Sequence, residues 1–126
     1  MKIWGVSMVR NEEDIVEAFV RHNLTILDGM LVVDHNSTDR TPAILTALRA
    51  ERLPLVVKRH EAPGYLQAEI TTSAAREVFA RTPADFVFPL DADEFLKVGS
   101  RAELERYLGS LPPDVHPIFD WPTYVP

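Results

Sequence analysis

Three carboxylates follow an apolar run in the carboxyl-terminal half of the sequence. Residues 86–96, FVFPLDADEFL, are apolar until Asp91, Asp93 and Glu94. Like charges this close repel one another, so the cluster brings folding no evident gain. In extended backbone, Asp91 and Asp93 would point to the same side, where their oxygens could share Mg²⁺ or Mn²⁺. An isolated D-x-D is more often a solvated turn, but its position after an apolar strand favours a metal site here.

Two further polar clusters also follow apolar runs. Residues 10–12, Arg-Asn-Glu, come after IWGVSMV, and residues 34–37, Asp-His-Asn-Ser, come after MLVV. Asp34 could accept hydrogen bonds from the ribose or base of a nucleotide, or it could organise the turn that follows. Asn11 could contact a ligand at a helix N-terminus, or it could cap that helix with Asp14 as its capping-box partner.

Other polar residues carry weaker signals. Arg76 could reach a phosphate from the third predicted helix, or it could be a surface residue. His22 is predicted to be a hydrogen-bonded core histidine. The sequence contains no GxSxG or P-loop pattern, and no G-x-G-x-x-G follows the first strand. A dinucleotide cofactor is therefore not expected.

The period of the apolar residues alternates between strand and helix. This alternation predicts an α/β, Rossmann-like, mainly parallel sheet with helices on both faces. Right-handed crossovers would then bring the three polar clusters to one edge, where ligands of such sheets bind. The predicted strands are 3–9, 30–33, 55–58 and 86–90, and the predicted helices begin near Asn11, Thr41, Leu66 and Ser100. The predicted buried face of the first helix consists of Ile15, Ala18, Phe19, His22 and Ile26.

Length and composition indicate one globular domain over residues 1–126. The formal net charge of −6 argues against a nucleic-acid partner, which normally meets a basic patch. The chain has no cysteine and no apolar run long enough to span a membrane, so we expect a cytoplasmic location without a membrane segment.

Three elements together resemble the nucleotide-binding half of family 2-like glycosyltransferases of the GT-A fold. They are NEE at residues 11–13, D-x-x-STD-x-T at residues 34–41, and D-x-D-E at residues 91–94. The resemblance covers about the first 100 residues, and its specificity lies in the order of the three elements. The R-H-N stretch at residues 21–23 and the third acid of D-A-D-E are similar to the subgroup that carries D-x-D-E-F.

The resemblance implies a nucleoside-diphosphate sugar, with a UDP-sugar favoured, and Mn²⁺ or Mg²⁺ as the cofactor. It implies an acceptor that is a saccharide or a lipid-linked glycan, and transfer with inversion by direct displacement. Val9, Asn11 and Glu12 would line the nucleoside pocket, and Asp34 would bind base or ribose. Arg76 matches a basic position of the family, Asp91 would contact ribose or metal, and Asp93 would be the principal metal ligand.

The family's catalytic base usually lies well after D-x-D, and only about 30 residues remain here, in which a strand begins in HPIFDWPTYVP. We therefore expect an amino-terminal piece of a larger transferase, inactive by itself, with the catalytic residue unknown. Its exposed sheet edge could pair with a second copy to give a homodimer. The alternatives are a non-catalytic module that binds nucleotide or metal, and a Toprim-like phosphoryl-transfer domain. The net charge and the STD motif speak against the second.

Overall fold

The structure is a computed structural model that describes residues 1–61, 67–97 and 100–110, together with the backbone of 123–124. Strands and helices alternate, as the sequence predicts. The elements in chain order are β1 Ile3–Val9, α1 Val16–Leu24, β2 Gly29–His35, α2 Thr41–Ala50, β3 Leu55–His60, α3 Gln67–Arg81, β4 Phe86–Pro89, β5 Phe95–Leu96, α4 Arg101–Gly109 and β6 Thr123–Tyr124.

The first four strands form one parallel sheet in the order β3-β2-β1-β4. The register places Val9, the last residue of β1, opposite Asp34 in β2. β5 and β6 form a separate antiparallel pair. The strand predicted in the carboxyl-terminal tail is present at Thr123–Tyr124, and the rest of that tail lies outside the described residues. The prediction of a mainly parallel sheet is confirmed.

Apolar cores lie on both faces of this sheet, since side chains alternate between the faces along each strand. On one face, Ile3, Val9 and Val32 belong to a core that includes buried residues of α1, α2 and α4. On the other face, Val6 and Leu31 pack in a smaller core with α3. The α3 residues of that core are Ile70, Ala74 and Val78. The prediction of helices on both faces is confirmed.

The start of α1 differs from the prediction. The helix begins at Val16, and no side chain caps its first turn. Asn11 is therefore not its N-cap. Asn11 instead has a φ of 52° and uses its side chain to bind the loop after β2. The predicted partner Asp14 is exposed.

The buried face of α1 is also shifted from the predicted one. Phe19 is buried as predicted, whereas Ala18 and His22 are exposed and Ile15 is half-buried. The helical residues that are buried are Val16, Phe19, Val20 and Asn23. A polar residue, Asn23, thus faces the core where the apolar pattern placed His22.

Two other helix starts agree more closely with the sequence. The predicted start of α4 near Ser100 is confirmed, and Ser100 Oγ caps the helix by accepting a hydrogen bond from the amide of Glu103 at 3.1 Å. The start of α2 near Thr41 is also confirmed, since Thr41 is the first helical residue, Arg40 is the N-cap and Pro42 lies in the first turn.

Arg101 links α4 to the amino-terminal part of the chain by hydrogen bonds. Its guanidinium donates to the carbonyl of Ile26 at 2.7 Å, to the carbonyl of Met1 at 2.8 Å and to Asp28 Oδ2 at 2.7 Å. Asp28 also accepts from the amide of Ile3 at 2.7 Å. Arg101 therefore joins several segments at a distance from the polar edge of the sheet.

Candidate donor-binding site

Polar residues gather where β1 and β2 end and where β4 turns away from the sheet. Val9 is 1% exposed and lies beside Asp34 in the β1–β2 register. The amide of Leu90, just after β4, donates to the carbonyl of Val6 at 2.8 Å, so the chain leaves β4 next to β1. The three polar clusters consequently occupy one edge of the sheet, as the parallel strand order requires.

Residues 10–13 and 36–41 bind each other closely, and we call them the interlocked loops. The amide of Asn11 donates to Ser37 Oγ at 2.9 Å. Asn11 Oδ1 accepts from the amide of Thr38 at 2.8 Å and from that of Asp39 at 3.3 Å. The amide of Glu12 donates to Thr41 Oγ1 at 2.9 Å. The NEE and STD-x-T motifs thus fix each other's backbone.

Asp34 is held by this arrangement but is not fully satisfied by it. Asp34 is only 2% exposed, and its Oδ1 accepts a hydrogen bond from Ser37 Oγ. Its Oδ2 is buried and has no hydrogen-bond partner among the described residues. A buried carboxylate oxygen without a partner is unusual in a native structure and calls for an explanation. A ligand N–H or O–H would supply the missing donor.

Glu12 connects the interlocked loops to the carboxylates after β4. Burial raises the pKa of Glu12, and the negative charges of Asp93, Asp39 and Asp14 raise it further. Asp93 is therefore close enough to act on Glu12, although the two residues are far apart in sequence. Negative charge is concentrated at this edge, and a bound cation would relieve the repulsion.

Residues Asp91–Glu94 form a closed turn, which we call the acidic turn. The amide of Glu94 donates to the carbonyl of Asp91 at 2.9 Å, and Glu94 Oε1 accepts from the amide of Asp91 at 2.9 Å. The extended backbone assumed for Asp91 and Asp93 is therefore wrong. Glu94 uses its carboxylate to close the turn, while Asp91 and Asp93 are exposed.

The donor set fits a divalent cation that arrives together with phosphate. Among the described residues there is no group of three or more histidine, aspartate or glutamate side chains that could hold a metal ion. Mg²⁺ and its close relatives commonly bind through one or two carboxylates and complete their shell with water and substrate phosphate. Asp91 and Asp93 offer two exposed carboxylates of this kind.

Arg76 is not brought to this edge. It is exposed and lies between the buried Ala74 and Val78, so it faces solvent on α3. It is also nine residues beyond Gln67, which corresponds to about 13 Å along the helix. The surface interpretation of Arg76 agrees with the structure better than phosphate binding does.

The structure adds Gln67, which sequence reasoning missed. Gln67 Nε2 donates to Asp91 Oδ1 at 3.1 Å from the first turn of α3. The available signal was topological, because a crossover helix begins at the carboxyl edge of a parallel sheet. A cavity of about 320 Å³ lies near this helix end, between β3 and α3. Its lining includes His60, Glu69 and Ser73 but neither Asp34 nor the acidic turn.

The chain belongs to the glycosyl transferase family 2, whose model matches residues 6–115. It is 39% identical over 90 residues to the beta-monoglucosyldiacylglycerol synthase of Synechocystis sp.. That alignment covers 67% of this chain and 18% of the relative. Family membership confirms the resemblance, whereas assignment to the D-x-D-E-F subgroup stays a prediction.

Two solved structures share the fold. The crystal structure of S. aureus TarS 1–349 matches with a TM-score of 0.65 at 21% identity, over 86% of this chain and 32% of that one. The mannosyltransferase PcManGT from Pyrobaculum calidifontis, in complex with GDP-Man and Mn²⁺, matches with a TM-score of 0.62 at 21% identity and the same coverages. The chain thus spans about a third of these structures. Within the residues that the structure describes, each helix is too short or too polar for a membrane span.

Proposed function

We propose that this chain binds the nucleoside-diphosphate sugar of a metal-dependent glycosyltransferase. The observation that carries the proposal is the pairing, at one sheet edge, of a buried acceptor with exposed acids. Asp34 Oδ2 lacks a donor among the described residues, and the acidic turn lies close enough for Asp93 to raise the pKa of Glu12. Family membership and the complex of a structural neighbour with GDP-Man and Mn²⁺ support the same function.

Each residue of the proposed site has a distinct role. Asn11 and Glu12 form the wall beside the nucleoside, Val9 supports this wall from the buried end of β1, and the interlocked loops give it a fixed shape. Asp34 accepts a hydrogen bond from the base or ribose through Oδ2. Asp91 contacts ribose or metal and is oriented by Gln67.

Asp93 is the principal metal ligand in this proposal, with Asp91 as the second carboxylate. The cation, when bound, neutralises the charge that grows on the departing diphosphate. The residues of the chain bind and orient the donor, so that an acceptor hydroxyl can displace the diphosphate at the anomeric carbon with inversion. We expect a UDP-sugar, and the acceptor is a saccharide or a lipid-linked glycan.

The donor half of the reaction is the part proposed for these residues. The chain covers 18% of the curated relative and 32% of each structural neighbour. On this proposal the carboxylate that deprotonates the acceptor lies outside residues 1–126. The chain by itself is then expected to bind donor without transferring sugar.

Calorimetric titration tests this function directly. UDP, GDP and their sugar conjugates are titrated into the chain with and without Mn²⁺, and the series is repeated on Asp93→Ala. The matched control is Asp85→Ala, which removes an exposed aspartate beside the start of β4, at the opposite edge of the sheet. We expect nucleotide binding that requires Mn²⁺, that Asp93→Ala abolishes and that Asp85→Ala retains. Metal-independent binding, or equal binding by both variants, would contradict the proposal.

A further inference from the structure

The segment that follows the acidic turn is held by a buried asparagine of α1. Asn23 is 0% exposed, and all of its described hydrogen bonds are made with main-chain groups. Its Nδ2 donates to the carbonyl of Glu94 at 3.0 Å, and its Oδ1 accepts from the amide of Leu96 at 2.9 Å. Its Nδ2 also donates to the carbonyl of Phe19 at 3.0 Å, which orients the side chain within the helix.

The preceding histidine binds the same segment from the surface. His22 Nε2 donates to the carbonyl of Leu96 at 2.7 Å; a carbonyl only accepts, so the nitrogen must carry the proton. The ring of Phe95 lies 5.3 Å from the His22 ring and 6.3 Å from the Phe19 ring, in edge-on contacts. Side chains of α1 therefore fix both the backbone and the aromatic ring of this segment.

The acidic turn is consequently anchored on both sides. Before it, Leu90 is bonded to β1 through its amide. After it, Glu94 and Leu96 are bonded to α1. Glu94 closes the turn between these anchors, and Asp91 and Asp93 project from it. A carboxylate carried by a fixed backbone loses less conformational freedom when it binds a ligand.

We propose that His22 and Asn23 are positioning residues that set the geometry of Asp91 and Asp93 for the metal and the diphosphate. The inference rests on the proposed function, because it assigns the α1 contacts to the same site. Neighbours that orient metal ligands typically change metal affinity about 10- to 100-fold when they are removed. His22 and Asn23 of the R-H-N stretch thus bind the backbone at the end of D-x-D-E-F and just after it, at Glu94 and Leu96.

The test compares four variants of this chain. Asn23→Ala removes the buried anchor, and His22→Ala removes the exposed one with little risk to folding. His22→Gln retains an N–H donor close to the place of Nε2 and is the rescue variant. Arg101→Ala is the control, because its side-chain hydrogen bonds lie away from the acidic turn. Urea unfolding measures the stability of each variant, so that binding is compared at known folded fractions.

Amide hydrogen exchange is the first readout and needs no nucleotide. The informative groups are the backbone N–H groups of Asp91 and Glu94. Both N–H groups are bonded within the turn, and neither is itself bonded to α1. We expect their exchange to accelerate in Asn23→Ala and His22→Ala, to recover in His22→Gln and to stay slow in Arg101→Ala. Should Asn23→Ala fail to fold, the two His22 variants still decide the question. Unchanged exchange at these two amides would overturn the inference.

Binding of UDP with Mn²⁺ is the second readout. We expect the affinity to fall about 10- to 100-fold in Asn23→Ala and less in His22→Ala, with recovery in His22→Gln. Affinities equal to that of Arg101→Ala would show that α1 stabilises the segment without positioning the acids, and would overturn the inference. The proposed function fails separately, if the unaltered chain shows no Mn²⁺-dependent UDP binding. In that case the inference loses its functional part, whereas the exchange result still decides the structural one.

Discussion

The interlocked loops and the acidic turn lie at the same sheet edge but use their polar side chains in opposite ways. In the loops, Asn11, Ser37 and Thr41 direct their oxygens to neighbouring backbone amides. In the turn, Glu94 closes the backbone while Asp91 and Asp93 are exposed. Polar clusters of similar composition therefore divide into one whose side chains fix the backbone and one whose carboxylates are exposed at the edge. Asp34 combines the two uses, since its Oδ1 is bonded to Ser37 and its Oδ2 has no hydrogen-bond partner among the described residues.

The largest expected effect is on stability and distinguishes the two regions. Asn11→Ala removes the acceptor for two loop amides and places alanine at a φ of 52°. We expect a loss of about 2 kcal/mol in the free energy of unfolding. Asp93→Ala, in the acidic turn, should change it by no more than about 0.5 kcal/mol. Chemical denaturation measures both, and Asn11→Asp, which keeps the acceptor, is the control. Equal losses at the two positions would refute the division.

A second prediction concerns Asp34, which has one bonded and one unpartnered carboxylate oxygen. Asp34→Asn replaces one carboxylate oxygen with an amide donor, so the unpartnered acceptor can be lost while the bond to Ser37 persists. We expect nucleotide affinity to fall at least about tenfold with little change in stability. Ser37→Ala should do the reverse, because the Ser37 hydroxyl binds Asn11 and Asp34 within the chain. Calorimetry and urea unfolding of the two variants check this, and undiminished affinity in Asp34→Asn would remove Asp34 from the site.

The smallest effect is a shift in one titration. Burial, and then the charge of Asp93, raises the pKa of Glu12, so Asp93→Asn should lower it and Asp85→Asn should not. Because the pKa of Glu12 is raised in the folded state, the contribution of Glu12 to stability is complete only below its ordinary pKa of 4.5 and is lost as the pH rises through the raised value. Asp93→Asn should therefore reduce the stability that the protein loses through Glu12 above about pH 4. NMR titration of the Glu12 carboxyl measures the shift. An unchanged Glu12 pKa in Asp93→Asn would indicate that the acidic turn is too far from the interlocked loops for Asp93 to act on Glu12.

The sequence predicted the parts of this edge that follow from local pattern and topology. The apolar runs ending before Asp34 and Asp91 located both residues, since parallel strands end at a common edge. The partner of Asn11 could not be predicted in this way, because its side chain bonds to Thr38 across a tertiary contact. The capping-box interpretation failed for that reason.

Burial of Asn23 was missed for a related reason. An apolar pattern assigns polar residues to the surface, but Asn23 is buried because the backbone of Glu94 and Leu96 satisfies its amide. The same pattern placed His22 in the core, although it is exposed and only its tip is bonded. No local sequence pattern identifies Gln67, because what singles it out is a tertiary hydrogen bond to Asp91.

Paramagnetic broadening by Mn²⁺ tests most directly whether these acids share one cation. Mn²⁺ is added with UDP to the isotope-labelled chain, and the loss of amide signal intensity is mapped along the sequence. We predict strong broadening at Glu12 and through the acidic turn, with Gly29 and Phe86 spared at the far ends of β2 and β4, about 20 Å away. Broadening centred on β3 and α3, or spread evenly over the chain, would contradict a single metal site formed by separate segments.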